Sequence, residues 1–207
     1  MNIIIDDDFM IEKNIELLNE ANKLFLKKLF RDSIPLYDEI LKSEPENIDV
    51  INNKGYALSK MKNYDDAISC YDKGLEIKPT EKCLLINKIS SLRKKGKFED
   101  ALELCNLVLE DNASENVALY HKLRILYSMK KFQESINICN ELLKSYPDNG
   151  DVLFDKSCNH AALGEVSACM LNLKLAIGIS NKFKINAKKN NVFESLKDQD
   201  VFLELVK

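Results

Sequence analysis

Histidine and cysteine are the side chains best suited to chemistry at neutral pH, and this sequence has only two histidines, His121 and His160. Cys158-Asn159-His160 sets a thiol two residues from an imidazole, the raw material of a nucleophile pair or of two metal ligands. On a helix, residues two apart point about 200° apart, so these two side chains would not converge, and His160 reads as a core histidine. Cys70, Cys83, Cys105, Cys139, Cys158 and Cys169 contain no C-x-x-C pair. In a reducing compartment they read as buried thiols rather than disulfides. No Gly-rich phosphate loop, HExxH or G-x-S-x-G is present. No catalytic residue, no metal and no cofactor is expected.

Carboxamides have the most regular spacing. Asn19, Asn53 and Asn87 stand 34 residues apart. Each offers donors and an acceptor that can grip the backbone of an extended peptide without reading its side chains. His121 and Asp155 interrupt the series. Lys54, Lys88, Lys122 and Lys156 run beside it, with Glu20 in the first copy; that column reads as a solvated edge.

The same interval governs the apolar residues that must position these groups. Pro45, Pro79 and Pro147 are separated by one and by two intervals of 34. Leu17, Ile51, Leu85, Leu119 and Leu153 form an aliphatic column, and Phe30, Tyr64, Phe98, Phe132 and Val166 a bulky one. Ser33, Ala67, Ala101, Ser135 and Cys169 are all small. Within a copy, Ile51, Gly55 and Leu58 share one helical face, and Ala67, Tyr71 and Gly74 another. Lys60-Met61-Lys62-Asn63 separates them, and Pro79 ends the second run. Each copy is therefore a helix, a turn, a second helix and a Pro-containing turn. One such pair cannot bury its own apolar face, so the copies must stack.

These columns resemble the tetratricopeptide repeat (TPR), most clearly from Asn53 to Leu58 and from Tyr64 to Ile68. The resemblance implies an all-α, right-handed superhelical solenoid of about five TPR helix-turn-helix pairs with a C-terminal capping helix near 198–206. The units are placed at 14–47, 48–81, 82–115, 116–149 and 150–181. An acidic N-terminal lead occupies 1–13, with the first helix beginning near Asp8. A capping segment occupies 182–207, where Asp198 or Asp200 is suited to cap the last helix.

The family resemblance also implies that the first helices line a concave groove for an extended peptide or a partner helix. In this sequence the groove would hold Asn19, Asn22, Asn53, Tyr56, Asn87, Arg93, Tyr120, Arg124 and Tyr127. Phe25 and Phe154 either join it or pack on the terminal segments. Co-chaperone members of the family clamp a terminal carboxylate with two Asn and three cations. Asn22 and Asn53 match the amides, but Leu18, Cys83 and Asn87 stand at the cationic places, which argues against chaperone binding.

Composition narrows the partners. The chain has 207 residues, a formal charge of -3, 45% hydrophobic residues, and only 6 Gly and 4 Pro. That suits a helical globular protein and lacks the basic excess of a nucleic-acid binder. No stretch approaches the roughly 18 apolar residues of a membrane span. Met1–Asp8 lacks the basic start of a signal peptide, so a cytoplasmic location is expected. The implied function is a non-enzymatic protein–protein interaction scaffold or adaptor, with a protein or peptide partner and neither nucleic acid nor membrane. The alternatives are a regulatory TPR sensor of a small peptide or effector, and an accessory subunit of an enzyme complex.

Overall fold

The computed structural model describes residues 7–112 and 115–207. Ten helices follow one another as helix–turn–helix units: α1 (Asp7–Leu26) packs on α2 (Phe30–Ser43), α3 (Ile48–Lys60) on α4 (Tyr64–Ile77), α7 (Asn116–Ser128) on α8 (Phe132–Ser145) and α9 (Gly150–Ala162) on α10 (Val166–Ile179), while α5 (Lys82–Lys95) leads through a tight turn into α6 (Phe98–Asp111). Then follow α11 (Lys182–Lys189), a 3-10 helix (Asn191–Leu196) and α12 (Asp200–Val206). The described residues contain no strand. The chain divides into two compact units, Met1–Leu104 and Cys105–Lys207, with the division inside α6.

The turn inside every pair has the same backbone device. Lys28, Lys62, Gly96, Lys130 and Gly164 all adopt positive φ, between 60° and 90°, and they are 34 residues apart. The next N–H then returns to a carbonyl five residues back. These bonds run Leu29 to Leu24, Asn63 to Leu58, Lys97 to Leu92, Lys131 to Leu126 and Glu165 to His160, each 2.9 Å. This six-to-one closure satisfies orphan carbonyls at the end of the first helix, and glycine adopts its left-handed residue at least cost. The bulky column supplies the first residue of each second helix, from Phe30 to Val166. Asn47 and Asn149 cap α3 and α9 by accepting from the backbone N–H of Val50 and Val152.

The small column, Ser33 to Cys169, is fully buried in all five pairs. In Met1–Leu104 the core runs from Ala21, Tyr37, Ile40 and Val50 to Leu58, Ala67, Tyr71 and Leu84. In Cys105–Lys207 it runs from Leu119, Leu123, Cys139, Leu142 and Val152 to an aromatic cluster under the tail. There Phe154 stacks on Phe183 at 5.5 Å and meets Phe193 at 5.9 Å, and Phe193 meets Phe202 at 5.9 Å. The ring of Phe183 occupies the space a side chain on Gly150 would need, 2.6 Å from an ideal Cβ.

The first helix spans Asp7–Leu26, within one residue of the expected start near Asp8, and Lys13 within it pairs with Glu39 of α2. Three expectations need correction. The tail holds α11 and a 3-10 helix as well as a last helix. Neither Asp198 nor Asp200 caps α12: Gln199 precedes it with no side-chain cap bond. Two of the six thiols are not buried: Cys83 is exposed in the first turn of α5 and Cys70 is half-buried.

Candidate functional site

In Met1–Leu104 the expected groove residues lie on α1, α3 and α5. Asn53 Nδ2 donates to Asn22 Oδ1 at 3.4 Å, and Asn87 Nδ2 donates to Asn52 Oδ1 at 2.8 Å. The Tyr37 hydroxyl also donates to Asn22 Oδ1, at 3.2 Å. The amides are therefore linked diagonally between successive first helices, rather than standing as one straight column. Asn19 is exposed on α1 and outside these pairs. Tyr37 was legible only as a core residue, yet a buried phenol needs a polar partner, and that need points to Asn22. Burial pushes the Tyr37 hydroxyl up to about 12, so it stays protonated and can donate.

Beside the amides, Tyr56 packs on Phe25 at 5.3 Å, and Phe25 packs edge-on to Phe30 at 5.5 Å. The Lys60 ammonium sits 4.7 Å above the Tyr56 ring, a cation–π arrangement. Ser91 donates to Ser59 at 3.0 Å within the same layer. Arg93 is half-buried near the C-terminus of α5. The lysine column is not merely solvated: Lys54 pairs with Asp38 at 2.5 Å and Lys88 with Asp72 at 2.6 Å.

In Cys105–Lys207 the equivalent face is charged and aromatic. Arg124 Nε lies 3.6 Å from Asp155 Oδ2, and its guanidinium lies over the Tyr120 ring, 5.6 Å from the centroid. Burial, then the Asp155 charge, pushes the Tyr120 hydroxyl up to about 12. Tyr127 packs against Phe132 at 5.5 Å, and burial pushes its hydroxyl to about 12 as well. Asp155 looked like a break in the amide ladder; it is the counter-charge of Arg124. Phe154 is under the tail and not available to a ligand.

Cys158 and His160 have different partners. The Cys158 thiol accepts from Asn190 Nδ2 at 3.6 Å, and burial pushes its pKa up. His160 Nδ1 lies 2.6 Å from the Glu165 carboxylate at the α9–α10 turn. Burial also holds Cys139 near 12 and Cys105 and Cys169 near 11, far from the thiolate a nucleophile or metal ligand needs. Among the described residues no cluster of His, Cys, Asp and Glu could hold a metal ion. No described helix is long and apolar enough to cross a membrane.

The tetratricopeptide repeat model matches residues 48–81, and a second model of the same repeat matches 117–149. No curated protein matches the chain. Among solved structures, a MamA double mutant aligns at 14% identity and a TM-score of 0.70, over 81% of this chain and 94% of that one. MamA from Desulfovibrio magneticus RS-1, residue 41 to the end, aligns at 16% and 0.66, over 91% and 97%. YrrB, described as a TPR protein with an unusual peptide-binding site, aligns at 18% and 0.62, over 84% and 91%. At such identities the likeness carries the fold alone. The chain thus carries tetratricopeptide repeats at 48–81 and 117–149, its five turns fall in one 34-residue register, and its fold is shared with MamA and YrrB.

Proposed function

We propose that the chain is a non-enzymatic adaptor that holds an extended peptide along the first helices of Met1–Leu104. The observation that carries this reading is the amide set. Asn53 and Asn87 each spend one N–H on a neighbouring carboxamide, and a carboxamide has two donors and an acceptor. The remaining groups have no protein partner among the described residues, and both side chains are only half-buried. They suit backbone N–H and C=O groups of a peptide, which alternate in sense along an extended chain. Tyr56 adds an aromatic wall beside them. In Cys105–Lys207, Arg124 is already matched by Asp155, so that face favours a neutral or mixed-charge segment over a strongly acidic one.

The test is a random peptide array probed with the full chain, followed by titration of the best binder. Asn53→Ala with Asn87→Ala should weaken it by about 1–3 kcal/mol through lost hydrogen bonds. Stability should fall by no more than about 1 kcal/mol, since water can reach the half-buried Asn22 and Asn52 left behind. If the double variant binds normally but melts lower, the amides only tie the helices together, and the peptide site lies elsewhere.

A further inference from the structure

Helix α10 reads Val-Ser-Ala-Cys-Met-Leu-Asn-Leu-Lys-Leu-Ala-Ile-Gly-Ile, with Lys174 its single charge. A helix apolar on all sides belongs in an interior, yet only one side of α10 is covered, through Cys169, Asn172, Leu173 and Ala176. On the other side Leu171 is 61% exposed, Leu175 50% and Ile179 45%, and Ile185 of α11 is 54% exposed. The frame itself supplies a control. One repeat earlier, α8 puts Asn137 and Glu141 where α10 has Leu171 and Leu175. The outward face of a second helix in this fold does not require leucine.

Charge follows the apolar stripe. Residues 166–190 contain Lys174, Lys182, Lys184, Lys188 and Lys189 and no Asp or Glu, in a chain of formal charge -3. Lys182 pairs with Asp151 at 3.0 Å; the other four have no carboxylate partner among the described residues. At Gly178 nothing lies within 4 Å of where a Cβ would stand, so another backbone can approach closely there.

We infer that the outward face of α10, with α11, docks an acidic amphipathic helix of a partner protein. Leu171, Leu175 and Ile179 are spaced four apart and make one ridge about 12 Å long, which fits the groove between ridges of a second helix. Flanking Glu or Asp on that helix would meet Lys174, Lys188 and Lys189. A second copy of this chain fits poorly, because it would bring two lysine-only faces together. A membrane surface fits less well than a helix: the exposed residues here are narrow and aliphatic, and Phe183, the sole aromatic of 166–190, is buried.

Two fluorescent peptides of about 18 residues test this, each with Leu at i, i+4, i+7 and i+11, one flanked by Glu and its twin by Lys. With the full chain, the Glu peptide should bind at least about tenfold tighter than its twin and weaken severalfold from about 0.05 to 0.5 M salt. Leu171→Ser with Leu175→Ser should lower its affinity about tenfold while leaving the circular dichroism and melting unchanged. Lys174→Glu with Lys189→Glu should reverse the preference between the twins. Asn53→Ala with Asn87→Ala should change none of this. Equal binding of the twins, or indifference to the leucine variant, overturns the assignment. So does leucine-dependent sedimentation with phosphatidylcholine vesicles containing about 30% phosphatidylserine when the Glu peptide fails to bind. A dimer that the leucine variant dissolves would give the face to a second copy and overturn it equally.

Discussion

In Met1–Leu104, neighbouring repeats are joined by polar links set beside the core. Asn22 meets Asn53, Asn52 meets Asn87, Ser59 meets Ser91, and Lys54 and Lys88 reach back to Asp38 and Asp72. In Cys105–Lys207 the corresponding work is done by thiols and rings: Cys139 and Cys169 inside the pairs, and Phe154, Phe183, Phe193 and Phe202 at the end. On its first helices Arg124 pairs with Asp155. The small and bulky columns and the left-handed turn are common to both units, because they fix how closely two helices approach. The positions beside them carry no such volume constraint, so each unit fills them differently and presents a different surface.

The largest expected effect of a single substitution breaks the second unit alone. Phe202 is buried between Phe193 and the rest of the terminal cluster. Phe202→Asp removes that ring and buries an unpaired carboxylate, at a cost of roughly 4–5 kcal/mol. Hydrogen exchange read by mass spectrometry should then speed up across α9–α12 and remain near wild type across α1–α4. Equal acceleration in both units would mean that the tail supports the whole chain.

Alkali should separate the units next. A thiol or phenol kept neutral by burial holds its proton more tightly folded than unfolded. Its contribution is complete below the ordinary value and disappears as pH rises through the folded one. The ordinary thiol value is 9.0, and burial raises Cys105 and Cys169 to about 11 and Cys139 to about 12; Cys158 is raised too. In Met1–Leu104 the strongly raised groups are Tyr37 and Tyr71, whose ordinary value is 10.0. Cys105–Lys207 should therefore weaken first, by about 1.4 kcal/mol per thiol at pH 10 and about 5 kcal/mol for the four together. Thermal melts from about pH 8 to 11, with limited proteolysis to locate the first cuts, measure this. First cuts in Met1–Leu104 would contradict it.

The turns test what the units share. Gly96 has open space around a would-be Cβ, so Gly96→Ala costs only the left-handed backbone, about 1 kcal/mol. Lys62→Gly and Lys130→Gly should each gain a comparable amount, one in each unit, in urea melts. Unequal gains would show that the two turns are not held by the same constraint.

The helix pairs were legible because apolar volume repeats strictly: Tyr37, Tyr71, Cys105, Cys139 and Leu173 can be compared by stepping 34 residues, and all are buried. The turn column was hidden by its composition, since lysine at Lys28, Lys62 and Lys130 gives no sign of positive φ. Helix α11 was hidden because Lys182–Lys189 leaves the period. The amide pairs were missed for a geometric reason. Stepping by 34 compares residues at equal height, whereas helix packing brings Asn22 to Asn53 and Asn52 to Asn87, 31 and 35 residues apart. Asp155 was misread in the same way, as a failed asparagine rather than the partner of Arg124.

The smallest effect is the most specific. Lys54 and Lys88 each pair with an aspartate 16 residues earlier; at the same offset before Lys122 and Lys156 stand Asn106 and Asn140. Asn106→Asp with Asn140→Asp should therefore build in Cys105–Lys207 the ion pairs that Met1–Leu104 already has. The aspartate side chains at Asp38 and Asp72 are nearly half exposed, 48% and 46%, so solvent screens each pair to about 0.3 kcal/mol. Asp38→Asn with Asp72→Asn should lose the same amount. Both shifts in the urea midpoint should vanish in about 1 M salt, where the screening length falls to roughly 3 Å. A gain that survives salt would come from something other than charge, and the lysine column would then differ between the units in packing as well.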